Sequence, residues 1–112
     1  MAARIARFGF VAEYLTPSPA YDEYEKFLRL EFTRRAPGWE AGFGTVSRYN
    51  PHTNSWNYGF LLEGEVPEAT SRSDARSRAR KLVGELAAGL AAAHENPGRL
   101  LPVPRVWVWQ VT

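Results

Sequence analysis

The clearest pattern in the chain is an alternation of large and small side chains between residues 56 and 63. One side of this period-two pattern carries Trp56, Tyr58, Phe60 and Leu62, and the other side is small and mixed. The alternation predicts a β-strand over Trp56–Glu63 with one bulky, aromatic face. Similar patterns predict three further strands, at Arg4–Leu15, Ala41–Tyr49 and Arg105–Val111.

Two other segments change to the spacing of amphipathic helices. The first, Ala20–Arg35, places Tyr21, Tyr24, Leu28 and Phe32 on one stripe. The second, roughly Asp74 to His94, has a smaller stripe made of Ala75, Ala79, Leu82, Leu86, Leu90 and Ala93. Prolines at positions 17 and 19 separate the first strand from the first helix, and Asn96-Pro97-Gly98 ends the second helix.

The predicted order of elements is therefore β-α-β-β-α-β. Residues 50–55, rich in Asn, Pro and Ser, join the middle strands as a hairpin, while helical crossovers join the other pairs. This order predicts an α+β, ferredoxin-like fold: a four-stranded antiparallel sheet with two helices on one face. At 112 residues we expect a single domain spanning residues 1–112. The main alternative is a sheet whose last strand pairs with another subunit.

The functional interpretation depends on which face of the sheet is buried. Because the second helix offers mostly Ala and Leu, we expect the large aromatic residues of the sheet to pack against the helices. These are Phe8, Phe10, Phe43, Tyr58, Phe60 and one or both of Trp107 and Trp109. The opposite, open face is then predicted to be a dimer interface or ligand site made of Gly9, Val11, Gly44, Val46, Arg48, Gly59, Leu61 and Val108.

Gly9, Gly44 and Gly59 lie in the middle of strands on this predicted open face. A mid-strand glycine costs roughly 1 kcal/mol and often marks the close approach of another backbone or of a ligand. We therefore expect something to lie flat on this face. A second copy of the same sheet is the simplest candidate, since the residues between the glycines are too apolar to face water comfortably.

A basic segment opens the second helix. It contains Arg72, Arg76, Arg78, Arg80 and Lys81, opposed in this window only by Asp74. Helical spacing places Arg76 and Arg80 on one flank of the apolar stripe and Arg78 on the other. These side chains either cover the edges of the stripe and pair with Glu65 and Glu68, or form a patch that binds nucleic acid or an acidic protein.

Composition narrows the class of protein without indicating an activity. Hydrophobic residues make up 45% and charged residues 23%, as in a globular protein, and no apolar run reaches the eighteen or so residues of a membrane span. The chain has no Cys and begins without a signal-peptide pattern, so we expect a cytoplasmic protein. The net charge of +2 is too small to indicate nucleic-acid binding by itself.

Residues that carry chemistry are sparse. His52 and His94 have no second ligand at metal spacing, so we expect neither a metal nor a cofactor. Glu13 and Tyr14 are adjacent candidates for acid/base chemistry, but the strand pattern points them to opposite faces. The sequence therefore indicates no catalytic residues, and a non-enzymatic role is favoured.

The segment Arg7–Tyr14 resembles in part the aromatic RNA-contacting motif of RNA-recognition domains, which share this order of strands and helices. The glycine expected directly after the basic residue is absent, and the closing aromatic comes one residue late. The segment also lies on the first strand, whereas the family carries its longer motif on the third. The match covers eight residues and does not assign the family.

Three hypotheses for the function remain. The first is a non-catalytic binding protein, a homodimer through the open sheet face, whose Arg-rich helix start contacts nucleic acid or an acidic protein. The second is a protein of the dimeric α+β barrel type, which this strand order resembles in outline, with a small-molecule site for a sensor or an enzyme between subunits. The third is a structural or assembly subunit. The sequence does not choose among them.

Overall fold

The computed structural model describes residues 6–16, 21–93 and 103–111. Its elements are β1 Phe8–Thr16, α1 Tyr21–Arg35, β2 Ala41–Asn50, β3 Ser55–Glu65, α2 Arg72–Ala93 and β4 Val103–Gln110. All neighbouring strands are antiparallel, in the order β2-β3-β1-β4. The ferredoxin-like α+β prediction is confirmed, with β1 and β3 in the centre. The proline turn near residue 17, His94 and Asn96-Pro97-Gly98 lie outside the described residues.

Both helices pack on one face of the sheet. Tyr14 of β1 is buried and donates a hydrogen bond from its hydroxyl to the carbonyl oxygen of Val83 in α2, at 3.1 Å. Burial raises the pKa of this phenol, because the phenolate would lose its hydration. On α1, the ring of Phe32 meets that of Phe43 edge-on, with centroids 5.8 Å apart. These contacts define the helix side of the sheet.

At the centre of the sheet, the aromatic residues predicted to face the helices do so. Phe8, Phe10, Phe60 and Leu62 are buried on the helix side, and Phe43 is partly buried against the same cluster. The small stripe of α2 faces them, with Ala75, Ala79, Leu82, Leu86 and Leu90 all buried. A stripe of Ala and Leu leaves room for Phe rings, so these two surfaces fit at ordinary packing density.

Tyr58 is a correction to the predicted core. It pairs with Thr16, the last residue of β1, so the hairpin of β2 and β3 continues beyond the central strand. Tyr58 and Trp56 share the pleat side of Phe60, but both are exposed. At the hairpin end, Trp56 packs against Tyr49 with ring centroids 5.5 Å apart. The aromatic alternation is therefore longer than the core that it helps to build.

The two C-terminal tryptophans are a second correction. Trp107 pairs with Val11 and Trp109 with Gly9, which places both indoles on the open face, 47% and 39% exposed. The intervening Val106 and Val108 pair with the buried residues Ala12 and Phe10 and pack against the core. Because α2 packs closely against β4, the space between them suits the smaller side chain of valine.

Helix α2 begins at Arg72, two residues before the predicted start. Ser71 accepts a hydrogen bond on its hydroxyl from the backbone N–H of Asp74, at 3.0 Å. Asp74 in return accepts one from the backbone N–H of Thr70, at 2.9 Å. The bond to Ser71 satisfies a backbone donor that the first turn would otherwise leave unpaired, and the bond from Thr70 ties the preceding chain to the helix start. The hydrogen bond from Thr70, with help from Arg78, lowers the pKa of Asp74.

Candidate functional site

The open face of the sheet can be described as rows of side chains that run across the strands. The central row consists of Gly44 on β2, Leu61 on β3, Glu13 on β1 and Arg105 on β4. One adjacent row contains Gly42, Glu63, Val11 and Trp107, and the other contains Val46, Gly59 and Leu15. Neither α1 nor α2 packs on these rows, since both helices lie on the opposite side.

The centre of this face holds a buried carboxylate. Glu13 is 1% exposed. Of the charged residues that the structure describes, it is the one that is buried. Arg48 donates to it twice, from Nε to Oε1 at 3.2 Å and from Nη2 to Oε2 at 2.9 Å. These hydrogen bonds raise the pKa of the Arg48 guanidinium, because they favour its charged form. Because Glu13 is buried and Arg48 is exposed, the pair holds a fixed positive charge on a face that neither helix covers.

Arg48 reaches Glu13 diagonally across β3. It pairs with Asn57, two rows below the row of Glu13, and the register places Gly59 between them. The Arg48 side chain is 59% exposed although its charge is fixed against a buried partner. The pair therefore presents an oriented guanidinium to whatever covers the sheet.

Two of the three glycines are explained within the chain itself. A Cβ atom at Gly9 would lie 2.6 Å from Cε2 of Trp109, so the missing side chain lets this indole lie on the strand. A Cβ atom at Gly59 would overlap the backbone carbonyl oxygen of Tyr14. At Gly9 the covering group is the protein's own Trp109, so this glycine does not by itself indicate an external partner.

Gly44 is different, because open space lies above it. A Cβ atom there would only touch Cβ of Leu61, at 3.9 Å, and one at Gly42 would meet nothing within 4 Å. A groove of about 260 Å³ runs along these glycines and is lined by Gly42, Phe43, Gly44, Leu61 and Glu63. Among the described residues, Gly44 is therefore the one of the three predicted glycines above which there is room for an external group, and Gly42 beside it has room as well.

The predicted open-face set is mostly brought together. Gly9, Val11, Gly44, Val46, Arg48, Gly59 and Leu61 all lie on that face. Val108 does not: it pairs with Phe10 on the helix side, and Trp107 and Trp109 take the corresponding places on the open face. Whether these residues form a dimer or ligand face stays a prediction.

The five basic residues of α2 lie on both flanks of the helix, and Lys81 borders one groove with Arg80 and another with Arg78. Arg72, Arg76 and Arg80 follow each other at four-residue intervals on the flank beside β4. Arg76 links two grooves on this flank: one of about 410 Å³ bordered by Arg72 and β4, and one of about 560 Å³ bordered by Arg80 and Lys81. Arg78 points to the other flank, where its Nε lies 3.1 Å from Oδ2 of Asp74.

The aromatic residues of the partial RNA-recognition motif are not available for contacts with bases. Phe8, Phe10 and Tyr14 are buried on the helix side, where α2 covers them. An RNA-contacting platform needs these rings on the open face of the sheet. The resemblance of Arg7–Tyr14 is therefore one of sequence alone.

Metal chemistry finds no support in the described part of the chain. There, no three side chains of His, Cys, Asp or Glu come together in a way that could hold a metal ion. His52 lies exposed in the hairpin loop, where its backbone N–H donates to Oδ1 of Asn50 at 3.0 Å. Among the described residues, no helix has the length and apolar character needed to cross a membrane.

Comparison with known proteins identifies similar solved structures but no family. No family model and no curated protein matches the chain. A functionally unknown protein from Pediococcus pentosaceus is 14% identical, with 96% of this chain and 94% of that one covered, at a TM-score of 0.46. A protein from Bordetella bronchiseptica, provisionally named an antibiotic biosynthesis monooxygenase, is 18% identical, with coverages of 96% and 98% and a TM-score of 0.37.

A third similar structure is a complex of Bacillus subtilis GlnK with ATP. It is 12% identical, with 98% of this chain and 85% of that one covered, at a TM-score of 0.34. All three TM-scores lie below 0.5, so these similarities support no conclusion about function. The assignment of the fold rests on the strand order itself.

Sequence reasoning does not assign Arg105 or Trp107 to the candidate site, and it considers Glu13 only for acid/base chemistry. The strand pattern correctly separates it from Tyr14, yet nothing local shows that its carboxylate is buried or that Arg48 is its partner. The two residues are 35 positions apart. A sequence signal did exist, since a lone acidic residue in a central, otherwise apolar strand needs a partner to offset its desolvation.

Proposed function

We propose that the chain is a homodimeric binding protein in which two open sheet faces pack together and enclose a small-molecule site. The Glu13–Arg48 pair carries the proposal, because it places an oriented charge at the centre of a face that neither helix covers. Trp107 and Trp109 border the same face and are half-exposed. Small-molecule sites typically combine apolar and aromatic walls with a few well-placed polar groups.

The size of the face suits a dimer. Four strands spaced about 4.8 Å apart, each about nine residues long at about 3.3 Å per residue, outline roughly 550 Å² of sheet. The accessible surface of such a corrugated face is larger than its outline and approaches the roughly 800 Å² per partner of a standard interface. The exposed Trp107 and Trp109, together with Leu61 and Val11, give this face the apolar character that favours association.

Light scattering coupled to size-exclusion chromatography tests the dimer. We expect Leu61→Lys to convert the dimer into a monomer with an unchanged far-UV circular dichroism spectrum, since a lysine in the central row would leave a charge inside the interface. Leu30→Lys is the matched control, because Leu30 is exposed on α1, in the helix layer. A wild-type protein that stays monomeric at high concentration would refute the proposal.

A second candidate function is the binding of a polyanion, either nucleic acid or an acidic protein, along α2. The supporting observation is the pair of grooves that share Ser73 and Arg76, because no carboxylate of the described residues lines either groove. In an α-helix, residues four apart are neighbours about 6 Å apart, so Arg72, Arg76 and Arg80 make a regular row of positive charge. Such a row suits a chain of phosphates or carboxylates.

Fluorescence anisotropy at several salt concentrations tests this second function with labelled single-stranded RNA, single-stranded DNA and duplex DNA. If Arg76 and Arg80 contact phosphates, Arg76→Gln and Arg80→Gln should each reduce the slope of log K against log salt by about 0.7 to 0.9. Arg78→Gln is the control, since Arg78 lies on the other flank and pairs with Asp74. Absence of binding at low salt would exclude nucleic acid, and equal effects of all three variants would exclude the groove as the site.

A further inference from the structure

We propose that the ligand of the open sheet face is a small organic monoanion whose carboxylate is bound by Arg48 and Arg105. This inference rests on the proposed small-molecule site and names the chemical class of its ligand. It follows from three features of the described residues: the donors that Arg48 has left, the position of Arg105, and the shape of the groove at Gly44.

Arg48 has hydrogen-bond donors to spare. A guanidinium group carries five N–H donors, and Glu13 occupies one on Nε and one on Nη2. The side chain is 59% exposed, so the remaining donors, including both on Nη1, are open to a ligand. Because Glu13 already holds the guanidinium in place, a ligand would lose less binding energy to the ordering of this side chain.

Arg105 supplies a second positive charge beside the first. It is the direct cross-strand partner of Glu13 on β4, and it is exposed. Cβ atoms of such antiparallel partners lie about 4.5 to 5.5 Å apart. Arg48 occupies both carboxylate oxygens of Glu13, and among the described residues Arg105 forms no ion pair. The three side chains together therefore carry one net positive charge that faces outward.

The groove at Gly44 limits the size and charge of the rest of the ligand. Its volume of about 260 Å³ is smaller than the roughly 300 Å³ at which drug-sized pockets begin, so it accommodates about one ring. The Leu61 side chain gives it an apolar wall, and Glu63 lines it one row away from the row of Leu61 and Arg105. A second negative charge on the ligand would meet this carboxylate, which favours a monoanion with an apolar or aromatic body.

The test uses three probes of similar shape and different charge: phenylacetate, phenylacetamide and phenethylammonium. Binding to the wild-type protein is measured by ligand-observed NMR at low salt, and the indole N–H signal of Trp107, assigned with Trp107→Phe, reports the location. We expect phenylacetate to bind at least about tenfold more tightly than the amide and the ammonium probe to bind more weakly still. Binding should shift the Trp107 signal.

Arg105→Gln is the decisive variant, because it removes one anion contact and leaves the Glu13–Arg48 pair intact. We expect it to weaken phenylacetate binding about tenfold without changing the molar mass in solution. Arg34→Gln is the control, since Arg34 is an exposed arginine on α1 and pairs with Glu31 there. Arg48→Gln is less suitable, because it leaves the buried Glu13 without its partner and can unfold the protein.

The outcomes separate this inference from the proposed function. Equal binding of phenylacetate and phenylacetamide, or equal losses in Arg105→Gln and Arg34→Gln, would overturn the anion inference and leave the dimer proposal standing. A dimer that binds none of the probes would also overturn the inference. A monomeric wild type would refute the proposed function by light scattering, independently of the probes.

Discussion

Phe60→Ala tests the assignment of the buried face most directly. Phe60 is 0% exposed, lies opposite Tyr14 on β1 and Thr45 on β2, and belongs to the core between the sheet and the helices. A buried Phe removes at least about 150 Å² from water, which at about 25 cal/mol per Å² corresponds to about 4 kcal/mol. Because the smaller Ala still buries part of that area and leaves a cavity, we expect a loss of about 3–5 kcal/mol.

The assay is urea denaturation at a fixed protein concentration, repeated at a second concentration because dimerisation would add to the apparent stability. Trp56→Ala is the matched control. Trp56 is four residues earlier on the same pleat side of β3, but it is 53% exposed at the hairpin end. We expect it to cost less than about 1.5 kcal/mol, since much of its ring already faces water. A loss below about 1 kcal/mol for Phe60→Ala would show that the helices cover the other face.

Three further predictions concern polar groups. Tyr14→Phe should cost about 1 kcal/mol in urea denaturation, because it removes the buried hydrogen bond to α2; an unchanged midpoint would contradict that bond. Arg48→Gln should lower the unfolding midpoint more than Glu13→Gln. Loss of Arg48 leaves a buried carboxylate unpaired, whereas loss of Glu13 leaves only an exposed guanidinium. The reverse order would refute the burial of Glu13. The hydrogen bond from Thr70 lowers the pKa of Asp74 in the folded protein. The ionised carboxylate therefore stabilises the fold fully above the usual carboxyl pKa of about 3.9, and this stabilisation is lost as pH falls through the lower folded pKa. Thermal melts of wild type and Asp74→Asn should therefore differ at pH 7 and converge near pH 2, and a constant difference would exclude this charge effect.

The sequence alone determined the secondary structure and the strand order. Period-two and helical spacings are local signals, and the lengths of the connections decide which strands pair directly and which need a crossover. These signals also placed Phe8, Phe10 and Phe60 together on the buried face. The bounds differ by a few residues, and at α2 the caps of Ser71 and Asp74 start the helix two residues early.

Only the tertiary structure decided which side of β4 is buried. Each of its faces mixes apolar and polar residues, valines with Gln110 on one and tryptophans with Arg105 on the other, so its alternation does not clearly indicate an inward side. A shift of one residue in register would exchange them completely. The observed register sets Val106 and Val108 beneath the closely packed α2, while the larger indole of Trp109 uses the space above Gly9.

The candidate site also depended on tertiary structure. Leu61, Val46 and Arg48 were assigned to the open face from alternation, because side-chain direction along a strand is a local property. The burial of Glu13 and its pairing with Arg48 were not, since they arise from strands brought together across 35 residues of sequence. A charge becomes part of a site through its neighbours in space, and alternation along one strand carries no information about the strand beside it.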